Sequence, residues 1–392
     1  MGEKKIYNIG FWCGKFWPKN PYLELKIYNY LKNNKNYNIE LIFYENDLRI
    51  NPLKNNKSLF TFDYKKYKDE TKYITIKNEE ELINITKKYD LLLLSLYLKN
   101  NFRHKLYEVI SCKTAIFDYN AHDILKWGMN ANYIFSKSKI FSEFLKNMGY
   151  DKNKIYTTGS PEFDSYLYND DFKISKEKFY KKYNLNNNYI TILLLPSNLK
   201  FNHKELNTQN LNLFDEFYKK NININYLIKT YPNDYIFYEV TKDNQRSGYS
   251  IDYPDYSYFK KRYPNIKIIN IEDSYNVMKY SDKIINFSGS SISYEVFKFC
   301  KNIPYAINYN KQPYYCTVRY YPKHVRLPDD ILNIHIESFD DILKIDSKKI
   351  YKNIKKKKFK VKDKEFMLQD IISKKYSLPE ISDSINKILL DK

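Results

Sequence analysis

The segment from Asp282 to Glu295, Asp-Lys-Ile-Ile-Asn-Phe-Ser-Gly-Ser-Ser-Ile-Ser-Tyr-Glu, brings together residue types suited to holding an anion. Lys283 to Phe287 reads as a short buried strand, and Ser288, Gly289, Ser290 and Ser291 as a small-residue turn. The helix that follows carries Ile292, Val296, Phe299 and Cys300 on one face, at i, i+4, i+7 and i+8. Such a turn leaves backbone N–H groups free at a helix N-terminus, where negative charge is favoured. Glu295 stands one helical turn further in, within reach of a sugar hydroxyl beside a bound phosphate. That chemistry suits a nucleoside diphosphate and its ribose, although Ser and Gly also make ordinary helix caps.

Ligands of open parallel sheets bind beyond the carboxyl ends of the strands. Three further segments are expected there. Pro196-Ser197-Asn198-Leu199-Lys200 follows an apolar strand, with His203 close behind. Lys229-Thr230-Tyr231-Pro232 follows another, so that Lys229 is placed to neutralise a phosphate. Glu272-Asp273-Ser274 is an acidic, capping turn before a helix. Glycine is scarce, with eight in the chain, so each is more apt to sit where the backbone demands it. Gly159 and Gly289 both fall in strand-to-helix turns, the pattern of ligand loops.

The elements that would position these groups alternate. In the first half, strands are predicted over Ile6 to Phe11, Ile39 to Tyr44, Leu91 to Leu96, Lys113 to Tyr119, Tyr133 to Phe135 and Lys154 to Thr157. Helices are predicted over Tyr22 to Leu31, Glu79 to Lys88 and Lys139 to Met148, the last stopped by Gly149. A polar stretch from Asn169 to Asn188 leads to a second series, with strands at Ile190 to Leu195, Asn225 to Ile228, Ile266 to Ile269 and Pro304 to Ile307. Helices are read at Phe214 to Lys220 and Tyr275 to Tyr280, and Asn233 to Tyr263 as a polar insertion. Strands separated by helices argue for parallel sheets covered on both faces. The apolar stripe of Ile381, Ile385, Ile388 and Leu389 marks a terminal amphipathic helix able to pack back on the N-terminal domain.

The second half resembles the donor-binding domain of GT-B glycosyltransferases, particularly the bacterial surface-carbohydrate and CDP-glycerol glycerophosphotransferase group. Those proteins carry Thr-Gly-x-Pro-x-x-Asp, matched by Thr158-Gly159-Ser160-Pro161-Glu162-Phe163-Asp164. They carry Lys-x-His-Pro, matched by Lys229-Thr230-Tyr231-Pro232 with Tyr231 in place of the usual histidine. An acidic turn, an Asp-x-x-Ile strand and Ser-Ser-x-x-x-Glu are matched by Asp273, by Asp282 to Ile285 and by Ser290 to Glu295. The likeness spans about residues 115 to 310.

The resemblance implies an α/β protein with two Rossmann-like parallel-sheet domains facing a cleft and a C-terminal helix crossing back. The implied boundaries are 1–168 for an N-terminal acceptor domain and 186–345 for a nucleotide-donor domain, with a basic segment and C-terminal helices at 346–392 packing back on the first domain. A nucleotide-activated donor would be held by Gly159, Ser160, Ser197, Lys229, Asp273, Ser288, Gly289, Ser290, Ser291 and Glu295. Its sugar would pass to a surface glycan or lipid-linked acceptor without a metal or a cofactor, since helix N-termini and Lys stabilise a leaving diphosphate. The general base on the acceptor hydroxyl would be His122 or Asp123, which follow a strand facing the cleft. The same scaffold also serves CDP-polyol phosphotransferases of the teichoic-acid kind, nucleotide-sugar 2-epimerases and non-catalytic glycan- or nucleotide-binding proteins.

Composition narrows the classes. With 392 residues, 43% of them hydrophobic, the chain can fill two ordinary cores. Its formal charge of +20 is concentrated in Lys348 to Lys360, which holds eight lysines and suits an anionic membrane surface or a polyanionic substrate. No nucleic-acid module accompanies those lysines, so no nucleic-acid partner is expected. Cys13, Cys112, Cys300 and Cys316 lack metal-ligand spacing and read as free thiols in a reducing compartment. No signal peptide is visible, and the longest apolar stretch, Leu91 to Leu98, is broken by Ser95 and is short of a membrane span. The expected location is the cytoplasm, with the lysine-rich segment as the part that would meet a membrane face.

Overall fold

The computed structural model describes residues 5–13, 23–45, 47, 50, 65–95, 109–117, 131–147, 149–161, 164, 173–195, 204–229, 261–269, 274–286, 292–307, 334–356 and 376–391. They belong to two compact units, Met1–Asn169 with Gln369–Lys392, and Asp170–Leu368.

In the first unit the chain runs β1 (Tyr7–Trp12), α1 (Leu23–Leu31), β2 (Tyr37–Tyr44), α2 (Lys65–Glu70), β3 (Tyr73–Ile76), α3 (Glu79–Thr86) and β4 (Leu91–Leu94). It continues through β5 (Lys113–Phe117), β6 (Tyr133–Ser136), α4 (Lys139–Asn147) and β7 (Ile155–Thr157). The strands form one sheet in the order β3-β2-β1-β4-β5-β6-β7, and each described pairing is parallel. A parallel sheet must be covered on both faces, which is why Leu91–Leu94 is an unbroken run of leucine, every residue of it fully buried. Alternate residues divide between the faces. Ile9, Phe11, Leu41, Phe43, Leu91, Leu93 and Phe117 enter one core cluster together with α1 and the C-terminal helix Ser377–Leu390.

That helix completes the first core from more than two hundred residues away in sequence. Ile381, Ile385 and Ile388 recur at helical spacing and are fully buried. Burial of such side chains stabilises by roughly 1.5–3 kcal/mol each, as an upper bound. Polar contacts hold the helix in register: Tyr37 donates to Asn386 Oδ1 at 2.6 Å, Lys113 Nζ to the Ile388 carbonyl at 2.7 Å, and Tyr133 to Asp391 Oδ2 at 2.9 Å.

On the other face the Tyr89 ring lies against Gly10. A Cβ at Gly10 would stand 2.6 Å from a ring carbon, closer than carbon atoms pack, so the position requires glycine. The ring crosses Gly10 to bring its hydroxyl to Glu40, the residue paired with Gly10 on β2, and Lys88 reaches the same carboxylate. Burial pushes the Glu40 carboxyl upward, but Lys88, Tyr89 and Lys72 outweigh it and hold the group below the usual range.

The second unit contains α5 (Lys176–Tyr183), β8 (Ile190–Leu195), α6 (Lys204–Lys220), β9 (Ile224–Lys229), β10 (Lys267–Ile269), α7 (Ser274–Tyr280) and β11 (Lys283–Asn286). Then come α8 (Ile292–Cys300), β12 (Tyr305–Ile307), β13 (Ile334–Ile336), α9 (Asp340–Lys344) and α10 (Ser347–Lys356). The sheet order is β10-β9-β8-β11-β12-β13, again parallel throughout the described pairings. Ile192 and Leu194 face one core with Phe214 and Phe217 of α6. Leu193 and Leu195 face the other with Phe179, Val277, Met278 and Val296.

Two boundaries differ from the sequence expectation. The stretch Asn169 to Asn188 is not a plain linker, because α5 buries Phe179 and Tyr180 on the second sheet, and Tyr180 hydrogen-bonds Thr191 at 2.7 Å. The second unit therefore starts at Asp170, not at 186. Nor does everything beyond 346 join the first domain. Helix α10 stays with the second unit, where Tyr351 packs on Phe297 at 4.9 Å and Ser347 Oγ donates to Asn302 at 2.6 Å. Only the last helix belongs to the first. Lys348, Lys349 and Lys352 on α10 are exposed, Lys355 and Lys356 end the same helix, and Lys357, Lys358 and Lys360 lie outside the described residues. Strands β3 and β13, edge strands of four and three residues, are absent from the sequence reading. Tyr263, read as part of an insertion, is buried against Phe214 and Tyr218, and its neighbour Arg262 pairs with Asp215.

Among the described residues no helix is long and apolar enough to cross a membrane. Truncating the C-terminal stripe gives a direct measure of its share in the first core. Ile385→Ala should lower unfolding free energy by about 2–5 kcal/mol in urea denaturation, and a loss below about 1 kcal/mol would show the helix to be peripheral.

Candidate functional site

Both sheets reverse their strand order once, and in the second the reversal falls between β8 and β11. Loops leaving neighbouring strands toward opposite faces open a crevice at such a point, where ligands of doubly wound sheets are bound. The two strand ends are level, since Leu195 is paired with Asn286, and Asn286 is fully buried. Five residues after β11 the chain enters α8, whose first turn carries Glu295. The Ser288, Gly289, Ser290 and Ser291 turn is therefore the connection out of the switch point, although those four residues lie outside the described ones, as do Ser197, Asp273, His122 and Asp123.

In the second unit two predicted ligand residues are described, and both are enclosed. Lys229 ends β9, paired with Ile269 and adjoining β8, and is 8% exposed. An ammonium group so sheltered must be matched by acceptors or negative charge. Glu295 is 2% exposed. Its charge is felt along α8: burial first, and then Glu295, push the Cys300 thiol up to about 12, against a smaller opposite effect of Lys279. Cys300 itself packs against the core that holds Val296 and Met278. Among the described residues no cluster of His, Cys, Asp and Glu is arranged to hold a metal.

The far end of the same two strands explains another matched residue. Thr191 N–H donates to Asp282 Oδ2 at 3.0 Å, and Asp282 N–H donates to the Thr191 carbonyl at 2.8 Å. Asp282 fastens β11 to β8 at their amino ends, so its part in the motif is to set register.

Gly159 and Ser160 belong to the first unit, just after β7. The N–H groups of Thr158 and Gly159 both donate to the Ser136 carbonyl, at 3.0 and 3.2 Å, and Gly159 has φ +83°, the left-handed region that favours glycine. Its N–H is engaged in the turn. Asp164, four residues past Ser160, accepts from Ser377 N–H at 3.1 and 3.2 Å and from Ser377 Oγ at 2.6 Å. It thereby caps the start of the C-terminal helix, whose own cap residue Tyr376 offers no side-chain acceptor. The Thr-Gly-x-Pro-x-x-Asp segment, read as a ligand loop, is also a latch for that helix. Sequence reasoning could not see the Asp164–Ser377 pair, because the partners are 213 residues apart.

No protein-family model matches the chain, and no curated protein matches it. Solved structures do. A putative UDP-N-acetylglucosamine 2-epimerase from Listeria monocytogenes matches with a TM-score of 0.54 at 12% identity, over 99% of this chain and 98% of the other. MnaA of S. aureus in complex with UDP matches at 0.53 and 12%, over 97% and 95%. A glycosyltransferase from Rickettsia africae matches at 0.50 and 15%, over 99% of each chain. At these identities the likeness establishes the fold: two parallel-sheet α/β domains of the GT-B class.

The Asp164 latch has a pH signature. Burial pushes this carboxyl above its usual 3.8, against the pull of the Ser377 hydroxyl and N–H. A carboxyl raised on folding binds protons more readily in the native state, so its contribution is greatest at low pH and declines as pH rises through the folded pKa. Asp164→Ala should cost about 1–3 kcal/mol, while Asp164→Asn should keep most of the stability and abolish that decline. Urea denaturation of both variants across pH 3–7 checks this; equal losses in the two would remove the capping assignment.

Proposed function

We propose that the protein is an enzyme of nucleotide-activated sugars that receives the donor's diphosphate and ribose at the β8/β11 switch point. The observation that carries this reading is the sheet order of the second unit. It makes the Ser-Gly-Ser-Ser connection the loop at the reversal and sets buried Glu295 one turn into the helix that follows. In this reading the backbone N–H groups of Ser288 to Ser291 meet the diphosphate at the helix N-terminus, with Lys229 supplying positive charge. Glu295 accepts from the ribose hydroxyls. Ser197 and Asp273 lie on the neighbouring connections and complete the rim.

For the reaction, the fold neighbours favour conversion of the sugar itself, as in a nucleotide-sugar 2-epimerase, since the Listeria monocytogenes neighbour is named a putative 2-epimerase, while the UDP of the S. aureus neighbour fits either reaction. The second reading, transfer of the sugar to an acceptor with His122 or Asp123 as base, is favoured by one neighbour named a glycosyltransferase, the Thr158 to Asp164 match being compatible with both.

Thermal shift and calorimetry with UDP, GDP, CDP and CMP test the donor site. At least one should bind, and Glu295→Gln or Lys229→Met should each weaken it on the order of ten-fold. Failure of every nucleotide to bind overturns the reading, and unchanged affinity in a variant removes that residue from it. The reaction is decided by incubating the enzyme with nucleotide sugars in heavy water and no acceptor. Epimerisation at carbon 2 breaks a C–H bond and should leave solvent deuterium in an isomeric product. Nucleotide release that begins only when a glycan acceptor is added would instead establish transfer.

A further inference from the structure

The start of the lysine-rich segment forms one face of a helix. α10 reads Ser-Lys-Lys-Ile-Tyr-Lys-Asn-Ile-Lys-Lys and contains no acidic residue. At 3.6 residues per turn, Lys348, Lys349, Lys352, Lys355 and Lys356 fall in one arc of about 120°, which no other residue type shares. Ser347, Ile350, Tyr351 and Ile354 fall on the opposite side. Lys348, Lys349 and Lys352 are exposed. Two carboxylates lie near the start of the helix. Lys348 Nζ stands 3.8 Å from Asp282, and Asp346 accepts from the N–H groups of Lys348 and Lys349 at 3.0 Å.

This arrangement costs the fold. Like charges at i,i+3 and i,i+4, here Lys349 with Lys352 and Lys348 with Lys352, repel on a helix. Cations in a first turn also oppose the helix dipole, and Lys348 and Lys349 stand there without an acidic residue of α10 beside them. Solubility alone is met by mixed charges, as on α5, which has Glu177 in its first turn and Lys181 and Lys182 in its last. An anion outside the protein would relieve the repulsion. The other side of α10 is committed to the second unit. Tyr351 is buried on Phe297 of α8, Ser347 is tied to Asn302, and Ile350 is half-buried. Just ahead of the helix, Lys283 Nζ and the Tyr305 hydroxyl both donate to the Ile345 carbonyl at 2.6 Å. The lysines thus stand on a fixed mount whose apolar side is spent on packing and not free to enter a bilayer. The residue type narrows the partner. Lysine is a compact point charge on a flexible stem, suited to a diffuse field of head groups, whereas the planar fork of Arg suits phosphates of nucleic acid. Lys348 to Lys360 contains no Arg, and the aromatic residue of α10 is the buried Tyr351, so its lysines have no stacking platform beside them.

We propose that the lysine face of α10 docks the second unit on an anionic lipid surface by charge alone, without insertion of the helix. This stands apart from the nucleotide-sugar reading, which uses neither α10 nor its lysines.

The test is co-sedimentation of the full chain with phosphatidylcholine vesicles prepared with and without phosphatidylglycerol. The protein should bind the anionic vesicles and leave the neutral ones. It should be released as salt rises from about 0.1 M to about 1 M, where the Debye length shrinks from about 10 Å to about 3 Å. The triple variant Lys348→Gln, Lys349→Gln, Lys352→Gln should bind anionic vesicles about ten-fold more weakly, or worse. The double variant Lys349→Gln, Lys352→Gln spares the Lys348–Asp282 pair and should still lose about three-fold or more. Its melting temperature should be unchanged or higher, because repulsion along the helix is removed. A control with Lys178→Gln, Lys181→Gln and Lys220→Gln, exposed lysines of α5 and α6, removes the same charge and should bind as the parent does. An equal loss in that control would assign the binding to net charge and overturn the proposal. So would no binding to anionic vesicles, binding that resists salt, or unchanged binding in both α10 variants. Duplex DNA held as tightly as the vesicles at the same salt would overturn the choice of a membrane as partner.

Discussion

A parallel sheet that begins in its middle and grows toward both edges reverses its strand order once. At the reversal, the connections on either side leave toward opposite faces. Each sheet of this protein does so, at β1/β4 and at β8/β11. The rest of the structure depends on that constraint. It brings residues far apart in sequence, such as Leu195 and Asn286 or Trp12 and Ser95, to one level at the carboxyl edge. The rest of each unit keeps this edge in register. Asp282 ties the amino ends of β8 and β11, while Tyr89 and Lys88 reach over Gly10 to the Glu40 carboxylate.

Covering both faces of such sheets sets the remaining architecture. The first core is unfinished without a helix from the end of the chain, so the last apolar stripe is recruited to it and capped by Asp164. The second core draws α5 back from what reads as a linker and keeps α10 against α8 through Phe297 and Tyr351. Segments follow the apolar surface they can cover. Charge plays the lesser part in this division, since Lys348, Lys349 and Lys352 of α10 are exposed while its Tyr351 is buried.

The two halves of the chemistry are built differently. The second unit offers a helix N-terminus, a buried Lys229 and a buried Glu295, a set suited to a charged diphosphate and its ribose. The first is shaped by packing instead: the Thr158 to Asp164 segment that leaves β7 is spent on its own turn and on capping the C-terminal helix.

Much of this was legible in the residues. Leu91 to Leu94 and Ile190 to Leu195 declare buried parallel strands, and Ile381, Ile385 and Ile388 declare an amphipathic helix, because periodicity is a local property that survives without knowledge of partners. The Ser-Gly-Ser-Ser turn and Glu295 were visible for the same reason. Short edge strands such as Tyr73–Ile76 and the helix Lys176–Tyr183 were not, since few apolar residues in a polar stretch leave little period to read. Sequence by itself determined the alternation of strands and helices and the residue types at the candidate phosphate turn. Only the tertiary structure decided the strand order, the partner of the last helix and the register role of Asp282. Each of these is a relation between residues distant in the chain, fixed by which buried surfaces and hydrogen-bonding groups find one another when the sheets close.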